Sequence, residues 1–408
     1  MSSLVLKPGH VQPVWAGHPW VYAQAVLRAE GGAIAGDEVK VVDPRGNVLG
    51  RGFYSPRSAL VARLFTRGTD ERPFEAILRE RLTQALAHRR ALGLGNADAQ
   101  RPTTGYRLVH AEGDGLPGLV VDRFDDVLVA QFLTLGMFLR RELIVGLLAK
   151  LVSPVAILDR TPARAATLEG FELAADPWLH GSPVESLSFQ ERGFRFDIPI
   201  GLAQKTGFYF DQREVRARVE SLSRGARVLD AYGYDGSFAL AAARGGAREI
   251  HSVDDNLLAT EVGAQLAQQH GFDEIVTFTK NDARKELAFA KSSYDLVIVD
   301  PPRLAPTRSS QKNALVAYAK LAELGCRAVK PGGLLVFCSC SAAVDLGKLT
   351  RALAAGAMRA NVTPFVLERH FQGADHPVPA AFDEGLYLKV LIARIEPLSG
   401  TLPRSEES

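Results

Sequence analysis

The spacing of hydrophobic and polar positions changes along the chain and predicts three kinds of structure. In residues 38–65, short alternating runs are separated by glycine and proline, which is typical of a small β-barrel. Residues 73–92 have helical spacing, and a hairpin, a helix over 138–151 and a strand over 156–158 follow, which predicts a small α+β module. From about residue 194, strands alternate with helices, which indicates a mainly parallel sheet covered on both faces.

These changes of spacing predict the domain organisation. We expect a first domain over residues 1–70, a central α+β module over 71–190, an α/β domain over 191–397 and a disordered tail over 398–408. The length of 408 residues agrees with two or three domains of ordinary size. The predicted fold class is therefore α/β.

The composition excludes several classes of protein. The chain is 47% hydrophobic and 23% charged, and its net charge of +2 neither favours nor excludes nucleic acid, since binding needs only a local basic face. The most apolar stretch, residues 133–152, is interrupted by charges, and the chain starts without a signal-peptide core. The three cysteines include no Cys-Xaa-Xaa-Cys pair. We therefore expect a cytoplasmic protein with no membrane span, no disulfide framework and no metal site.

Acidic residues stand at the ends of four successive predicted strands of the α/β domain. In chain order they are Asp230, Asp254, Asp282 and Asp300. Acids at strand carboxyl ends line the ligand crevice of an open α/β sheet, although each one alone is readily explained as a helix cap or turn former. The glycine turn over 229–237 lacks the dinucleotide Gly-Xaa-Gly-Xaa-Xaa-Gly spacing, which disfavours an oxidoreductase.

The acidic series, with its glycine turn, resembles the class I S-adenosylmethionine-dependent methyltransferases. Further matching stretches are residues 18–22, 54–56, 112–118, 121–124, 158–160, 204–213, 374–377 and 384–389. They span nearly the whole chain in order and are similar to the large-subunit rRNA cytosine-5 methyltransferases with an N-terminal PUA domain, the ribosomal RNA large subunit methyltransferase I type. The resemblance implies a PUA-like barrel over 1–70 and a Rossmann-like methyltransferase domain at the C-terminus.

The resemblance also implies S-adenosylmethionine as the cofactor. Asp254 would bind its ribose, and Asp282 would lie near its adenine. The Asp300-Pro301-Pro302 loop would separate cofactor from substrate. The complete set of implied cofactor-binding residues is Lys205, Gln212, Asp230, Tyr232, Gly233, Gly236, Asp254, Asp282, Asp300 and Pro301.

The candidate nucleophile is a cysteine near the end of the chain. Carbon 5 of cytosine is a poor nucleophile, and a thiolate that adds to carbon 6 makes carbon 5 reactive. The resemblance implies that this thiolate belongs to Cys340, in Ser339-Cys340-Ser341. We expect Cys338 and Cys326 to be core residues.

The other catalytic and substrate-binding roles are less constrained. Many RNA cytosine-5 methyltransferases have a second cysteine that aids release, but this chain has Pro302 and Arg303 at that point. Asp300 is the candidate for holding the cytosine amino edge or acting as the base. Pro302, Arg303 and His376 are the candidate substrate-binding residues, and a structural role explains His376 equally well.

The resemblance implies that the partner is RNA, most specifically 23S rRNA. It also implies that the enzyme forms a homodimer. The target base must be single-stranded or flipped to reach a buried site. The barrel and the arginines of residues 73–92 would contact RNA, unless those arginines form a solvated helix face. These arginines are Arg79, Arg81, Arg89 and Arg90.

Departures from the family pattern leave other functions open. They occur at Asp235, Ser237, Asp255-Asn256 and Arg303-Leu304, and they put the position and identity of the substrate in question. One alternative is an RNA methyltransferase that modifies another base or tRNA. The other is a catalytically silent RNA-binding or ribosome-assembly factor.

Overall fold

The computed structural model describes residues 1–203, 205–305 and 310–398. The chain divides into two units, the first of Met1–Phe210 with Gly373–Gly385, and the second of Asp211–Gln372 with the residues from Leu386 onward. Gln204 of the family-like stretch 204–213, and all of the predicted tail except Leu398, lie outside the described residues.

The N-terminal part of the first unit forms one mixed sheet. Its elements are β1 (Ser3–Leu6), α1 (Val11–Trp15), β2 (Trp20–Tyr22), β3 (Val26–Glu30), β4 (Glu38–Val42), β5 (Val48–Tyr54) and β6 (Leu60–Leu64), in the sheet order β2-β6-β5-β4-β1-β3. Alternate residues of β4, Val39 and Val41, are fully buried, as the period of two predicts. Glycine allows β5 to run unbroken beside β6, because a Cβ at Gly52 would lie 2.5 Å from the carbonyl oxygen of Arg63.

The middle of the first unit is an α+β arrangement. Its elements are α2 (Phe74–Ala91), β7 (Gly105–His110), β8 (Leu119–Phe124), β9 (Val127–Phe132), α3 (Leu135–Phe138), α4 (Arg141–Val152), β10 (Ala156–Asp159), α5 (Ala163–Glu169) and β11 (Trp178–Gly181), with the sheet order β11-β10-β9-β8-β7. The predicted hairpin is confirmed, with Asp125 in the left-handed region at φ 54°. The predicted helix over 138–151 is instead divided at Arg140, whose φ of −107° interrupts it.

A hairpin follows that the spacing did not predict. It consists of β12 (Ser186–Glu191) and β13 (Phe194–Pro199), paired from Ser186–Pro199 to Glu191–Phe194. Phe189 on β12 and Phe196 on β13 stack with their centroids 5.1 Å apart, and both are buried. This continuous pairing spans residue 191, so the predicted boundary there falls inside a hairpin of the first unit.

The arginines of α2 do not share one environment, which corrects their assignment to a common RNA-binding face. Arg89 is fully buried, and its Nη1 and Nη2 donate to the two carboxylate oxygens of Asp114 at 2.5 and 2.8 Å. Its Nη2 also donates to the carbonyl oxygen of Asp375 at 2.7 Å. A guanidinium with these internal partners is unavailable to RNA. Arg79 and Arg90, in contrast, are exposed.

The second unit contains the predicted α/β sheet. Its elements are α6 (Arg213–Leu222), β14 (Arg227–Ala231), α7 (Ser237–Arg244), β15 (Glu249–Asp254), α8 (Leu257–Gln269), β16 (Val276–Lys280), α9 (Ala283–Phe289), β17 (Tyr294–Val299), α10 (Gln311–Ala328), β18 (Val329–Ser339), α11 (Leu346–Arg359), β19 (Val362–His370) and β20 (Lys389–Pro397). The sheet order is β16-β15-β14-β17-β18-β20-β19. The prediction of the α/β class with a mainly parallel sheet is confirmed.

The strand order creates a crevice at one edge of this sheet. β14 pairs in parallel with β15 on one side and β17 on the other, so the chain turns in opposite directions from β14. Such a reversal opens a gap beyond the strand carboxyl ends, where ligands bind in open α/β sheets. Parallel pairing of β17 with β18 brings the end of β18 to the same edge. β20 runs antiparallel to both β18 and β19.

Within the described ranges, no helix is both long enough and apolar enough to cross a membrane.

Candidate active site

Hydrogen bonds connect the glycine turn between β14 and α7 to the end of β15. The backbone nitrogen of Gly233 donates to the carbonyl oxygen of Val253 at 2.9 Å. Oδ2 of Asp254 accepts from the backbone nitrogen of Tyr234 at 3.0 Å, and its Oδ1 accepts from that of Asn256 at 3.0 Å. Asp254 therefore shapes the turn while its partly exposed carboxylate borders the crevice, and burial raises its pKa.

The turn has a strained backbone. Tyr232 and Tyr234 lie in the left-handed region at φ 68° and 51°, which is uncommon for residues with a side chain. Burial raises the pKa of the half-buried Tyr232 to about 12. Strain of this kind persists only where surrounding contacts impose it, as the bonds to Val253 and Asp254 do.

The protein itself requires both glycines of the turn. A Cβ at Gly233 would lie 2.1 Å from Oγ of Ser252 and 2.8 Å from Oδ2 of Asp230. A Cβ at Gly236, whose φ is 76°, would lie 2.5 Å from the Phe278 ring. These positions explain the glycines by packing and backbone conformation, independently of any ligand.

Asp230 is a fully buried carboxylic acid beneath the turn. Oγ of Ser252 donates to its Oδ2 at 3.1 Å, and burial raises its pKa to about 7. Its Oδ1 has no hydrogen-bond partner among the described residues. An unpaired buried oxygen is costly, so a ligand that donates a hydrogen bond or carries positive charge would stabilise it.

Asp282 has a different environment from the other acids. It is the N-cap of α9, where its Oδ1 accepts from the backbone nitrogen of Arg284 at 2.8 Å. The Arg284 guanidinium also pairs with it at 2.9 Å and lowers its pKa. The carboxylate thus has a capping role in the protein, and its predicted place near the adenine stays a prediction.

Asp300 follows β17 at the crevice edge. Its Oδ2 accepts from Nε2 of Gln212 at 3.0 Å, and Oε1 of the buried Gln212 has no partner in the described part of the chain. The Asp300 carboxylate also interacts with the buried thiol of Cys338. Pro301 is buried, whereas Pro302 and Arg303 are exposed and so available to a substrate.

Cys340 lies immediately after β18, and a network of buried hydroxyl groups holds its neighbours. Oγ of Ser339 donates to the Tyr318 hydroxyl at 2.9 Å, and that hydroxyl is 3.1 Å from Oγ of Ser341. Oγ of Ser341 accepts from the backbone nitrogen of Ala305 at 3.1 Å. The network joins both flanks of Cys340 to α10 and to the segment after Asp-Pro-Pro, while Cys340 itself is partly exposed.

The other two cysteines are core residues, as expected. Cys338 is fully buried in β18, and Cys326 is 1% exposed in α10. Burial raises the pKa of Cys326 to about 12 and that of Cys338 well above its ordinary value. Both thiols are therefore protonated near neutral pH and are poor nucleophiles.

The sequence did not assign a role to Lys389, which the structure places beside Cys340. It begins β20 opposite Ser339, and its side chain is 2% exposed. Its Nζ donates to the carbonyl oxygens of Ser341 at 2.8 Å and of Tyr387 at 2.7 Å. Its presence in the family-like stretch 384–389 was the only signal in the sequence.

Two predicted site residues belong to the first unit. Lys205 is exposed, has a φ of 51°, and its Nζ lies 4.5 Å from the Tyr209 ring centroid. His376 is 2% exposed, with Nδ1 3.0 Å from Oδ1 of Asp375 and its ring 4.9 Å from that of His110. The burial of His376 favours its structural explanation over contact with a substrate.

The residues at the crevice fit S-adenosylmethionine. Asp254 can accept from a ribose diol. The unpaired oxygens of Asp230 and Gln212 suit a cationic, hydrogen-bond-donating ligand. The fit rests on side chains from β14, β15 and the segment before α6.

Comparisons with known proteins agree with this arrangement. A family model for PUA-like domains matches residues 4–67, and one for S-adenosylmethionine-dependent methyltransferases matches residues 171–381, more than half of the chain. A provisionally classed methyltransferase solved with SAH has a TM-score of 0.82 at 19% identity, covering 97% of this chain and all of that one. A second structure, described as an S-adenosylmethionine-dependent methyltransferase from Streptococcus mutans, has a TM-score of 0.80 at 18% identity and also covers 97% of this chain and all of that one.

Curated relatives match over almost the full length. Ribosomal RNA large subunit methyltransferase I of Shewanella amazonensis is 35% identical over 395 residues, which are 96% of this chain and 98% of that protein. The protein of the same name from Yersinia pseudotuberculosis is 34% identical over 397 residues, covering 96% and 99%. The chain therefore belongs to the ribosomal RNA large subunit methyltransferase I family of S-adenosylmethionine-dependent methyltransferases.

Proposed function

We propose that this protein methylates carbon 5 of a cytosine in large-subunit rRNA through a covalent adduct with Cys340. The names of the curated relatives support the rRNA substrate. The observation that carries the cysteine mechanism is the partial exposure of Cys340 immediately after β18, whose parallel pairing with β17 brings it to the same edge of the sheet as Asp300. We further propose 23S rRNA as the specific partner, a cytoplasmic location and self-association as a homodimer.

The chain's own residues perform the steps of the reaction. The Cys340 thiolate adds to carbon 6 of the cytosine, which leaves carbon 5 electron-rich. Asp254, Asp230 and Gln212 would hold S-adenosylmethionine, which would supply an electrophilic methyl group to carbon 5 and leave as the neutral thioether S-adenosylhomocysteine when its methyl–sulfur bond breaks. A base then takes the proton from carbon 5, the double bond between carbons 5 and 6 re-forms, and the sulfur leaves with its bonding electrons.

Asp300 is our candidate for the base or for the group that holds the cytosine amino edge. The Gln212 amide orients its Oδ2, which gives the carboxylate a defined direction at the crevice. Pro302 and Arg303 are exposed next to it and would contact the flipped base or its neighbours. We also propose that Lys205, Tyr232 and Asp282 contact S-adenosylmethionine.

The test incubates bulk rRNA that lacks the modification, and in a parallel reaction bulk tRNA, with labelled S-adenosylmethionine and either wild-type protein or Cys340→Ala. We expect label in 5-methylcytosine with the wild type only, as measured by nucleoside mass spectrometry. Label in another nucleoside would overturn the cysteine mechanism. Label in tRNA alone would overturn the substrate, and no label in either RNA would favour a silent RNA-binding protein.

A further inference from the structure

Lys389 is a buried amine beside the candidate nucleophile. Its burial by itself would disfavour the positively charged ammonium form. Its side chain is 2% exposed, and a buried ammonium without partners is unfavourable. The carbonyl oxygens of Ser341 and Tyr387 accept two of its three possible hydrogen bonds. Among the described residues, no carboxylate oxygen lies within 4.0 Å of Nζ, so no direct ion pair compensates the charge.

The groups that face Lys389 include the candidate nucleophile. Its charge interacts with the Cys340 thiol, with the Asp345 carboxylate before α11 and with the Arg303 guanidinium after β17. Burial lowers the pKa of Lys389 to about 8, while a negative charge on Cys340 or Asp345 raises it. An amine with this pKa is still about nine-tenths protonated at pH 7.

The position of Lys389 relative to Cys340 is held by backbone geometry. Lys389 pairs with Ser339 across β20 and β18, and Nζ bonds the carbonyl of Ser341. The lysine therefore contacts the residues on both sides of Cys340. The Tyr318 hydroxyl also bonds the side chains of the same two serines.

We propose that Lys389 is a positioning residue whose ammonium stabilises the thiolate of Cys340. The thiol loses its proton to solvent, the electron pair stays on sulfur, and Lys389 keeps its own proton. The attraction between the two opposite charges is mutual. The Cys340 thiolate stabilises the protonated form of Lys389, and the Lys389 ammonium stabilises the Cys340 thiolate to the same extent. The role of this pair in catalysis rests on the proposed function. The stabilisation of the Cys340 thiolate by Lys389 does not depend on it.

The experiment measures the alkylation of Cys340 by iodoacetamide as a function of pH in the full-length protein. Only the thiolate reacts, so the midpoint of the rate profile reports the thiol pKa. Cys326 and Cys338 are buried, and Cys340→Ala identifies any reaction at those sites. The variants are Lys389→Met, which removes the charge, and Lys389→Arg, which keeps it. Lys330→Met is the matched control, since Lys330 bonds Asp295 at the other end of β18.

We expect the wild-type midpoint to lie below the ordinary thiol value of about 8.5. Lys389→Met should raise the midpoint by about one unit, which lowers the alkylation rate at pH 7 roughly tenfold. Lys389→Arg and Lys330→Met should keep a low midpoint. An unchanged midpoint in folded Lys389→Met overturns the proposal. If that variant does not fold, Lys389→Gln replaces it, and an unchanged midpoint in folded Lys389→Gln then overturns the proposal.

The outcome is separable from that of the proposed function. If the midpoint depends on Lys389 but Cys340→Ala still methylates RNA, the electrostatic pair stands and the covalent mechanism fails. If Cys340→Ala is inactive but Lys389→Met leaves the midpoint of Cys340 alkylation unchanged, the covalent mechanism stands and the proposed role of Lys389 fails.

Discussion

Gln212 donates a hydrogen bond from Nε2 to Oδ2 of Asp300 at 3.0 Å, across 88 positions of sequence. Gln212 precedes α6 and Asp300 follows β17, so the bond joins the first turn of the second unit to the crevice edge. A buried amide can hold a carboxylate in one orientation while the other carboxylate oxygen faces a ligand. This bond defines the direction of the group we assign to the cytosine.

Gln212→Leu should therefore impair methyl transfer. The loss of a hydrogen bond to a charged group costs about 1.5–3 kcal/mol, or roughly ten- to hundredfold in kcat/KM. Steady-state methylation of unmodified rRNA measures the change. Gln265→Leu, at an exposed position of α8, is the matched control and should retain activity. Equal activity of both variants would remove the Gln212–Asp300 bond from the mechanism.

Asp254→Ala should weaken S-adenosylmethionine binding by roughly 1–3 kcal/mol, because the ribose would lose a charged hydrogen-bond acceptor. Isothermal calorimetry on the full chain measures the affinity. The exposed neighbour Asp255 offers a control, and Asp255→Ala should bind nearly as the wild type does. An affinity unaffected by Asp254→Ala would exclude this carboxylate from the cofactor site.

RNA that carries 5-fluorocytidine at the target should form an adduct that survives denaturant. Fluorine at carbon 5 cannot leave as a proton does, so the bond between Cys340 and carbon 6 would persist. Denaturing electrophoresis should show the adduct with wild type and with the core variant Cys326→Ala, but not with Cys340→Ala. A complex that dissociates fully with the wild type argues against a covalent intermediate.

Gly233→Ala should destabilise the protein, because its Cβ would lie 2.1 Å from Oγ of Ser252. Overpacking of a buried site costs about 1–3 kcal/mol. Thermal unfolding measures the loss as a lower Tm. Gly347→Ala in α11 is the control, since the nearest atom to its Cβ would be 3.4 Å away. If both variants melt at the wild-type temperature, the turn is less tightly packed than its distances indicate.

The contribution of Asp230 to the stability of the ligand-free protein should decrease as the pH rises from about 4 to about 7. Burial raises the pKa of Asp230 from 3.8 to about 7, so the neutral acid is favoured in the folded state. The stabilisation is complete below the unfolded pKa and is lost as the pH approaches the folded pKa. The Tm of the wild type relative to that of Asp230→Asn should therefore fall across this interval.

Asp282→Asn is the comparison for that prediction, because Arg284 lowers the pKa of Asp282. A lowered pKa has the opposite sign, and the contribution of Asp282 is lost as the pH falls. Between pH 4 and 7 the Tm–pH curve of Asp282→Asn should therefore run parallel to that of the wild type. An Asp230→Asn curve that runs parallel to the wild-type curve over this interval would contradict the raised pKa of Asp230.

Local patterns in the sequence determined most of the secondary structure. Helices such as α7 alternate with strands such as β15 as the spacing predicts, because a period of 3.6 or 2 depends only on neighbouring side chains. The acids at successive strand ends were visible for the same reason. Parallel strands must bring their carboxyl ends to one edge, so Asp230, Asp254 and Asp300 could be grouped before any contact was known.

Tertiary structure decided which side chains meet and which are buried. Arg89 and His376 were assigned by residue type to RNA or substrate, but both are enclosed with carboxylate partners. The family-like stretch 384–389 includes Lys389 but does not relate it to Cys340, because that relation depends on the antiparallel pairing of β20 with β18. Hydrophobic periodicity specifies which face of an element is apolar, whereas burial of a charge depends on partners that are distant in the sequence.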